Sequence, residues 1–369
     1  MVHAAGVAAL VLVIACAVLL PRFTESRGDP FVFVRYDAWF ALFIAYDLPV
    51  IRPESADIPA YRAQRVLMSA LVAIPVALEA RLRAGYPTEL PPSSTAAWAM
   101  LVVDLMAAGI GSAALALLAL RHHLHPIVGG LFGLWIGSVY VLHMGMMELL
   151  AYALVLCGLL CWERGMLTTS GMTLGLAALA KETALLFTVA FLCVLVLQRA
   201  GAGWRFAILS VGPPALWQLV VAQELGITGV QAALLPGNPG QGMLPIASYF
   251  SEAISPLTAL QLIWVLLPAI VSVCWGLGVL GRSVSDPTGW ALFLNGLFVT
   301  SLPPASTAAI WWSTRISLAV IVALAWAGVR SERPRLAYVG VAVLLVPTVL
   351  FVMTGGDFGP MGGDGIQPR

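Results

Sequence analysis

The sequence predicts an all-α, polytopic membrane protein, a bundle of about eleven crossings at roughly 20 apolar residues each. Three observations carry that prediction. Hydrophobic residues make up 60% of the 369-residue chain and charged residues only 10%, against roughly 25% charged in an ordinary soluble domain. The mean hydropathy is +0.93, which excludes a water-soluble fold. Runs such as Val7–Leu20 and Leu336–Met353 are continuously apolar, whereas the strands of a membrane barrel would alternate over short segments. A net charge of +1 without a basic run gives no nucleic-acid signal.

The first run, 4–20, lacks a basic segment before it and reads as a first transmembrane helix, although Val13-Ile14-Ala15-Cys16 loosely imitates a cleavage site. Residues 21–94 follow as a long polar loop. Within it, 63–82 is apolar enough to span but is flanked by Arg62, Arg65, Arg81 and Arg83 and carries Pro75. A kinked interfacial or re-entrant helix is the preferred expectation, an ordinary span the alternative. Further apolar runs occupy 95–120, 127–143, 148–162, 170–180, 183–198, 206–222, 261–281, 289–303, 311–329 and 336–353. A second long loop, 223–260, contains Pro236-Gly237-Asn238-Pro239-Gly240, turn chemistry that suits a lid or an ordinary connector. Residues 1–353 thus read as a single domain, and the Gly- and Pro-rich tail 354–369 as disordered.

Orientation comes from the short basic connections, because Lys and Arg near helix ends stay in the cytoplasm. Arg121, His122 and His123, Arg164, Arg199 and Arg205, Arg282, and Arg330, Arg333 and Arg335 mark one side. They agree with each other and with a cytoplasmic N-terminus if 170–198 is an out-and-back pair broken at Lys181-Glu182 and if 63–82 does not cross. The three histidines 122, 123 and 125 read as part of a solvated loop rather than a metal site. Cys16, Cys157, Cys161, Cys193 and Cys274 all fall in apolar runs and read as core packing.

Charges in the polar loop and at helix ends are the candidate chemistry. The stretch from Arg35-Tyr36-Asp37 to Tyr46-Asp47 is an aromatic helix too polar to span, expected along the membrane surface with Tyr36, Trp39 and Tyr46 at headgroup level. Asp37 at its start could take a proton from a hydroxyl, bind a metal or cap the helix. In Asp57-Ile58-Pro59-Ala60-Tyr61-Arg62-Ala63-Gln64-Arg65, helical spacing aligns Tyr61, Arg62 and Arg65. Those arginines suit a phosphate or carboxylate clamp, or else pair with Asp57 or lipid headgroups. Glu148, Lys181-Glu182 and Arg315 lie deep among apolar residues, where a charge costs roughly 2.5–3.5 kcal/mol or more at the bilayer centre and so faces a cavity or a partner. All map to the same side as Asp37, which argues for one site, with a structural Lys181–Glu148 pair as the alternative. Asp104 has no evident role.

Tyr36-Asp37 with its aromatic helix, followed by Pro59-Ala60-Tyr61-Arg62-Ala63-Gln64-Arg65, resembles bacterial membrane proteins of the glycosyltransferase C superfamily, especially those of cell-surface glycopolymer formation. There, a Tyr-Asp-Gly-Gln-Phe-Tyr-Tyr-like stretch precedes a Tyr-Arg-Tyr-Gln-Arg-like one; this chain departs at Ala38 and Trp39. The match covers about thirty residues, with support from Leu179-Ala180-Lys181-Glu182-Thr183 and Arg315. The resemblance implies transfer of a sugar, with inversion, from a polyprenyl-phosphate donor to a glycan or lipid acceptor on the extracytoplasmic face of a bacterial inner membrane. It makes Asp37 and Glu148 the catalytic carboxylates, and Arg35, Tyr61, Arg62, Arg65, Lys181, Glu182 and Arg315 substrate-binding residues. No cofactor is required by it, and a divalent cation between Asp37 and Glu148 is compatible with it. Membrane lipids are the other expected partner, and nucleic acid is not one. A transporter or translocase of a lipid-linked glycan, or an assembly scaffold, could use the same charges.

Overall fold

A computed structural model of the chain describes residues 1–53, 56–82, 94–201, 203–235, 249, 256–303, 306, 310–331 and 334–353, and shows no strand among them. In order the helices are α1 (Val2–Glu25), α2 (Asp37–Asp47), α3 (Pro59–Ala63), α4 (Val66–Leu82), α5 (Ser94–Arg121), α6 (Gly130–Leu134), α7 (Ile136–Met144) and α8 (Glu148–Glu163). There follow α9 (Leu167–Ala180), α10 (Leu185–Leu197), α11 (Gly203–Leu225), α12 (Gly229–Leu234), α13 (Pro256–Gln261), α14 (Leu267–Leu280), α15 (Pro287–Thr300), α16 (Ile310–Ile316), α17 (Leu318–Arg330) and α18 (Pro334–Met353). By length and composition α1, α5, α11 and 259–280 can each cross a membrane. A broken fifth span is made if α6 and α7, bent by 48°, count as one. Helices suit that setting because they satisfy every backbone polar group internally.

Helix α8 measures the bundle from end to end. Its last residue, Glu163, accepts from His122 Nε2 at 2.8 Å and Trp326 Nε1 at 2.7 Å. Arg121 and Arg330 approach the same carboxylate at 3.7 and 3.8 Å, and Arg330 also pairs with Asp286 at 2.9 Å. The basic residues 121, 122 and 330, expected on one side, therefore meet around one acid that joins the ends of α5, α8 and α17 to the start of α15. At the other end of α8, Glu148 meets Lys181. Helix α9 climbs back along α8, and at Lys181 the backbone becomes extended and ends it. Helix α10 then returns: Phe191 lies 4.1 Å from the ring of Trp162 and 6.0 Å from that of Phe206. The run 170–198 is thus the expected broken, out-and-back pair.

Several expectations need correction. The run 127–143 is continuous in hydropathy yet breaks at Trp135, whose backbone is extended while its indole donates to the Thr314 carbonyl at 3.3 Å. Gly133 lets α6 sit against α1 there, since a Cβ would fall 2.3 Å from Val11 Cγ1. The run 311–329 divides at Ser317, whose hydroxyl donates to the Thr314 carbonyl at 2.7 Å. Helix α2 is covered by protein on most of its surface: Asp37, Ala38, Phe40, Ala41, Leu42, Ile44 and Ala45 are all buried, and Trp39, Phe43 and Tyr46 form a half-buried stripe. It packs against α3 and α4, and Trp39 stacks between Phe31 and Phe43. Cys16 and Cys274 are exposed on the chain's surface rather than in the core. The lid residues 236–240 and the tail 354–369 lie outside the described residues.

Helix α4, the segment of undecided topology, packs on α2, α5 and α9. Its Met68 and Val72 join Ala38, Leu42 and Ala45 of α2 and Ala96, Ala97 and Met100 from the first two turns of α5. Helix α3 is fixed from the far side: Trp217 Nε1 of α11 donates to the Ala63 carbonyl at 2.7 Å and Gln218 reaches Gln64 at 3.1 Å. Gly229 opens α12 so close to α3 that a Cβ would meet the Ala60 carbonyl at 2.7 Å.

Candidate functional site

Asp37 is delivered by a short, constrained segment. Helix α7 ends at Gly145 in the left-handed conformation (φ 64°), and a Cβ there would come within 2.5 Å of the Phe33 carbonyl. The chain entering α2 nests in that space, and the Arg35 amide bonds the Met144 carbonyl at 3.2 Å. Tyr36 then takes φ 46° and ψ −118°, a conformation rare for a residue with a side chain and worth of order 1–3 kcal/mol of strain that its surroundings must hold. Its ring meets Trp312 edge-on at 5.9 Å. Asp37, first residue of α2, turns its carboxylate to residues of other elements, and Tyr36 at the helix start makes no side-chain cap. Replacing Gly145 by alanine should cost about 1 kcal/mol for the left-handed backbone alone, and more for the collision with Phe33. A fall of several degrees in thermal unfolding in detergent, together with loss of function, is expected; an unchanged unfolding temperature would show that this nesting is dispensable.

The carboxylate of Asp37 meets arginines. Arg62 Nη1 donates to Oδ1 at 2.6 Å and Arg65 Nη1 to Oδ2 at 3.0 Å. Arg62 turns its other edge to Asp57 in a two-bond fork of 2.9 and 3.0 Å. Arg65 does the same to Glu182 at 2.8 and 2.7 Å, and it also donates to the Tyr61 hydroxyl and lies 4.4 Å over that ring. Arg315 stands between the two acids named by the sequence, 3.5 Å from Asp37 and 3.3 Å from Glu148. Lys181 completes the chain on Glu148 at 3.0 Å. Eight of the nine sequence-derived residues, all but Arg35, therefore form one continuous network drawn from α2, α3, the residue before α4, α8, the α9–α10 break and α16. The Lys181–Glu148 pair offered as an alternative to a site is present, but as one link of it.

Four cations face four carboxylates here, mostly out of water: Glu148 is 1% exposed, Arg65 2% and Asp37 6%. Burial alone would raise the Asp37 carboxyl, but Arg62, Arg315, Arg65 and Lys181 outweigh it and hold it well below the usual carboxylate range. Burial likewise opposes ionisation of Glu182, and Arg65 followed by Lys181 brings it down to about 2. Both acids are therefore ionised at neutral pH. A depressed folded pKa adds stability that is complete above the unfolded value, about 3.9–4.3, and is lost as pH falls toward the folded one. The contribution of these two acids to thermal stability in detergent, read as wild type against variant, should be level from about pH 8 to 5 and decline from about pH 4 to 2. Glu182→Gln should flatten part of that decline, and a wild-type profile in that variant would contradict the assignment.

Arg35, also expected to bind substrate, is two residues from Asp37 but outside the network. Its Nε is buried without a hydrogen-bond partner among the described residues. Asp104 on α5 is fully buried, and neither of its oxygens, nor Oε2 of Glu148, has a partner among the described residues. Sequence reasoning missed Met146, whose sulfur lies 2.6 Å from Arg315 Nη1, and gave Asp57 only as one partner of the arginines. The first carries no sequence signal; the second could have been ranked higher by its five-residue spacing from Arg62. No group of three or more potential metal ligands occurs among the described residues.

Comparison of the chain with family models, curated proteins and solved structures finds no match.

Proposed function

We propose that this protein is an integral membrane glycosyltransferase that moves a sugar, with inversion, from a polyprenyl-phosphate donor to a hydroxyl of a cell-envelope glycan or lipid. One observation carries the reading: carboxylates and cations from segments up to 278 positions apart, Asp37 to Arg315, converge in a single buried network. The acceptor oxygen forms a bond to the anomeric carbon, the carbon–oxygen bond to phosphate breaks, and polyprenyl phosphate leaves. Asp37, fully ionised, orients the hydroxyl and receives its proton as the new bond forms. A carboxylate so stabilised is a weak base at rest, so proton transfer runs late, when the attacking oxygen has become acidic. Arg315 and Lys181 oppose the charge that grows on the leaving phosphate.

A divalent ion between Asp37 and Glu148 does not fit this donor set. Both oxygens of Asp37 already accept from guanidiniums, and Arg315 and Lys181 stand against Glu148, so the ion would face cations from several sides.

The proposed topology is multi-pass in a bacterial inner membrane, with the N-terminus and the Glu163 cluster cytoplasmic and the Asp37 cluster extracytoplasmic. About eleven crossings follow if the shorter apolar helices count as spans. Helix α8, with 16 residues, rises about 24 Å, somewhat under a hydrocarbon core of about 30 Å that can thin to accommodate it. The packing of α4 on α2 and on the first turns of α5 supports a segment that stays on the Asp37 side.

The near balance of charge in the network also favours a second reading, a gate in a translocase of lipid-linked glycans. The test uses purified protein in liposomes loaded with radiolabelled polyprenyl-phosphate sugar and acceptor extracted from envelopes. Transfer predicts label leaving the polyprenyl phosphate and joining the acceptor. Label that crosses between leaflets with its phosphate bond intact would replace the first reading by the second.

A further inference from the structure

The four cations of the network are already engaged: Arg62 with Asp37 and Asp57, Arg65 with Asp37 and Glu182, Lys181 with Glu148, and Arg315 with both Asp37 and Glu148. An incoming anion would have to compete with those carboxylates at each of them. Two other arginines at the same end of the bundle stand differently. Arg22, in the last turn of α1, donates to the His143 carbonyl at 3.4 Å, and the Arg35 amide bonds the next carbonyl, Met144, at 3.2 Å. The last turn of α7 thus anchors both residues side by side. Neither makes an ion pair with a carboxylate among the described residues, and both are held at consecutive carbonyls of one helical turn. Of the other groups in electrostatic range of Arg22, Glu25 is exposed and Tyr140 is a buried phenol. Stacking of Phe23 on Phe33, 6.4 Å between centroids, fixes the adjoining segments. Arg35 keeps a buried Nε with no partner among the described residues.

Two like charges held together, one with an unused buried donor, are stabilised by an anion that bridges them, and the planar guanidinium matches phosphate oxygens in a two-bond fork. We infer that Arg22 and Arg35 form a receptor for a phosphate group, Arg35 being the residue before the strained Tyr36 as Asp37 is the residue after it. Arg62 and Arg65 then serve chiefly to hold Asp37, Asp57 and Glu182 in place. The inference rests on the proposed function only for what the phosphate is attached to.

The experiment is binding rather than transfer, so it stands apart from the outcome of the glycosyltransferase assay. Full-length protein in detergent is titrated with polyprenyl phosphate and, separately, with inorganic phosphate, and bound ligand is counted by native mass spectrometry. Arg22→Gln and Arg35→Gln should each weaken binding by about tenfold, as expected for a hydrogen bond to a charged group, whereas Arg62→Gln should change it little. Preference for polyprenyl phosphate with that arginine dependence identifies a lipid headgroup site. Equal binding of inorganic phosphate with the same dependence identifies a site for a soluble phosphate. Arg35→Lys, which keeps the charge and loses the fork, should give an intermediate loss and covers the case in which the glutamine variant does not fold. Unchanged affinity in Arg22→Gln and Arg35→Lys, or a loss in Arg62→Gln as large as in either, would overturn the assignment.

Discussion

Arg65→Leu is expected to be the most destabilising single change in the charge network, at about 3–5 kcal/mol, the usual cost of removing one partner from a buried ion pair. Arg65 is almost completely enclosed, and its three nitrogens are spent on Asp37, Glu182 and Tyr61. Leucine leaves Glu182 without its main counter-charge and the buried Asp37 without one of its three guanidiniums. The loss should be smaller in Arg65→Leu combined with Glu182→Gln, because the charge left behind is then removed as well. Lysine at 65 should fall between, keeping the charge but losing the fork that satisfies both oxygens of Glu182. Chemical unfolding in detergent micelles measures all three. If Arg65→Leu unfolds with the wild type, the network is a surface ion-pair chain of little energetic weight, and its burial does not hold in the membrane.

What the sequence made legible was charge out of place. Glu148, Lys181 and Arg315 stood out because apolar neighbours make isolated charges costly, and the structure brings them to Asp37 as that argument required. The break at Lys181-Glu182 was legible for the same reason. Sequence could not tell which carboxylate meets which cation, since Arg62 and Arg65 were equally suited to lipid phosphates and to acids; only the folded geometry gives Arg65 to Glu182, 117 positions away. Backbone departures inside uniform apolar runs were also invisible. Trp135 and Ser317 interrupt helices without a Pro or Gly at the break, through partners that come from other elements or from the preceding turn. The burial of α2 went unforeseen because its aromatic residues suit a membrane interface and a protein interior equally well, and what decides is α4 and α3 lying over it.

Asp37→Asn separates the chemistry from the scaffold. Asparagine keeps the shape and one acceptor oxygen, so Arg62 or Arg65 retains a bond, but its amide must turn a donor toward the other guanidinium. Stability should fall by about 1–3 kcal/mol, less than for Arg65→Leu. Sugar transfer should fall much further, by about 10²–10⁴-fold, the range associated with a positioned proton acceptor. Asp37→Glu provides the contrast, since it restores the charge and displaces it by one methylene. It should recover the stability more fully than the rate, because the strained turn at Tyr36 sets the carboxylate's position as well as its presence. Donor binding, measured on folded protein, should survive Asp37→Asn within about threefold on this account, given that the carboxylate acts on the acceptor hydroxyl rather than on the lipid phosphate. Transfer at the wild-type rate by folded Asp37→Asn protein would reduce Asp37 to an anchor for arginines and leave the reaction without its carboxylate.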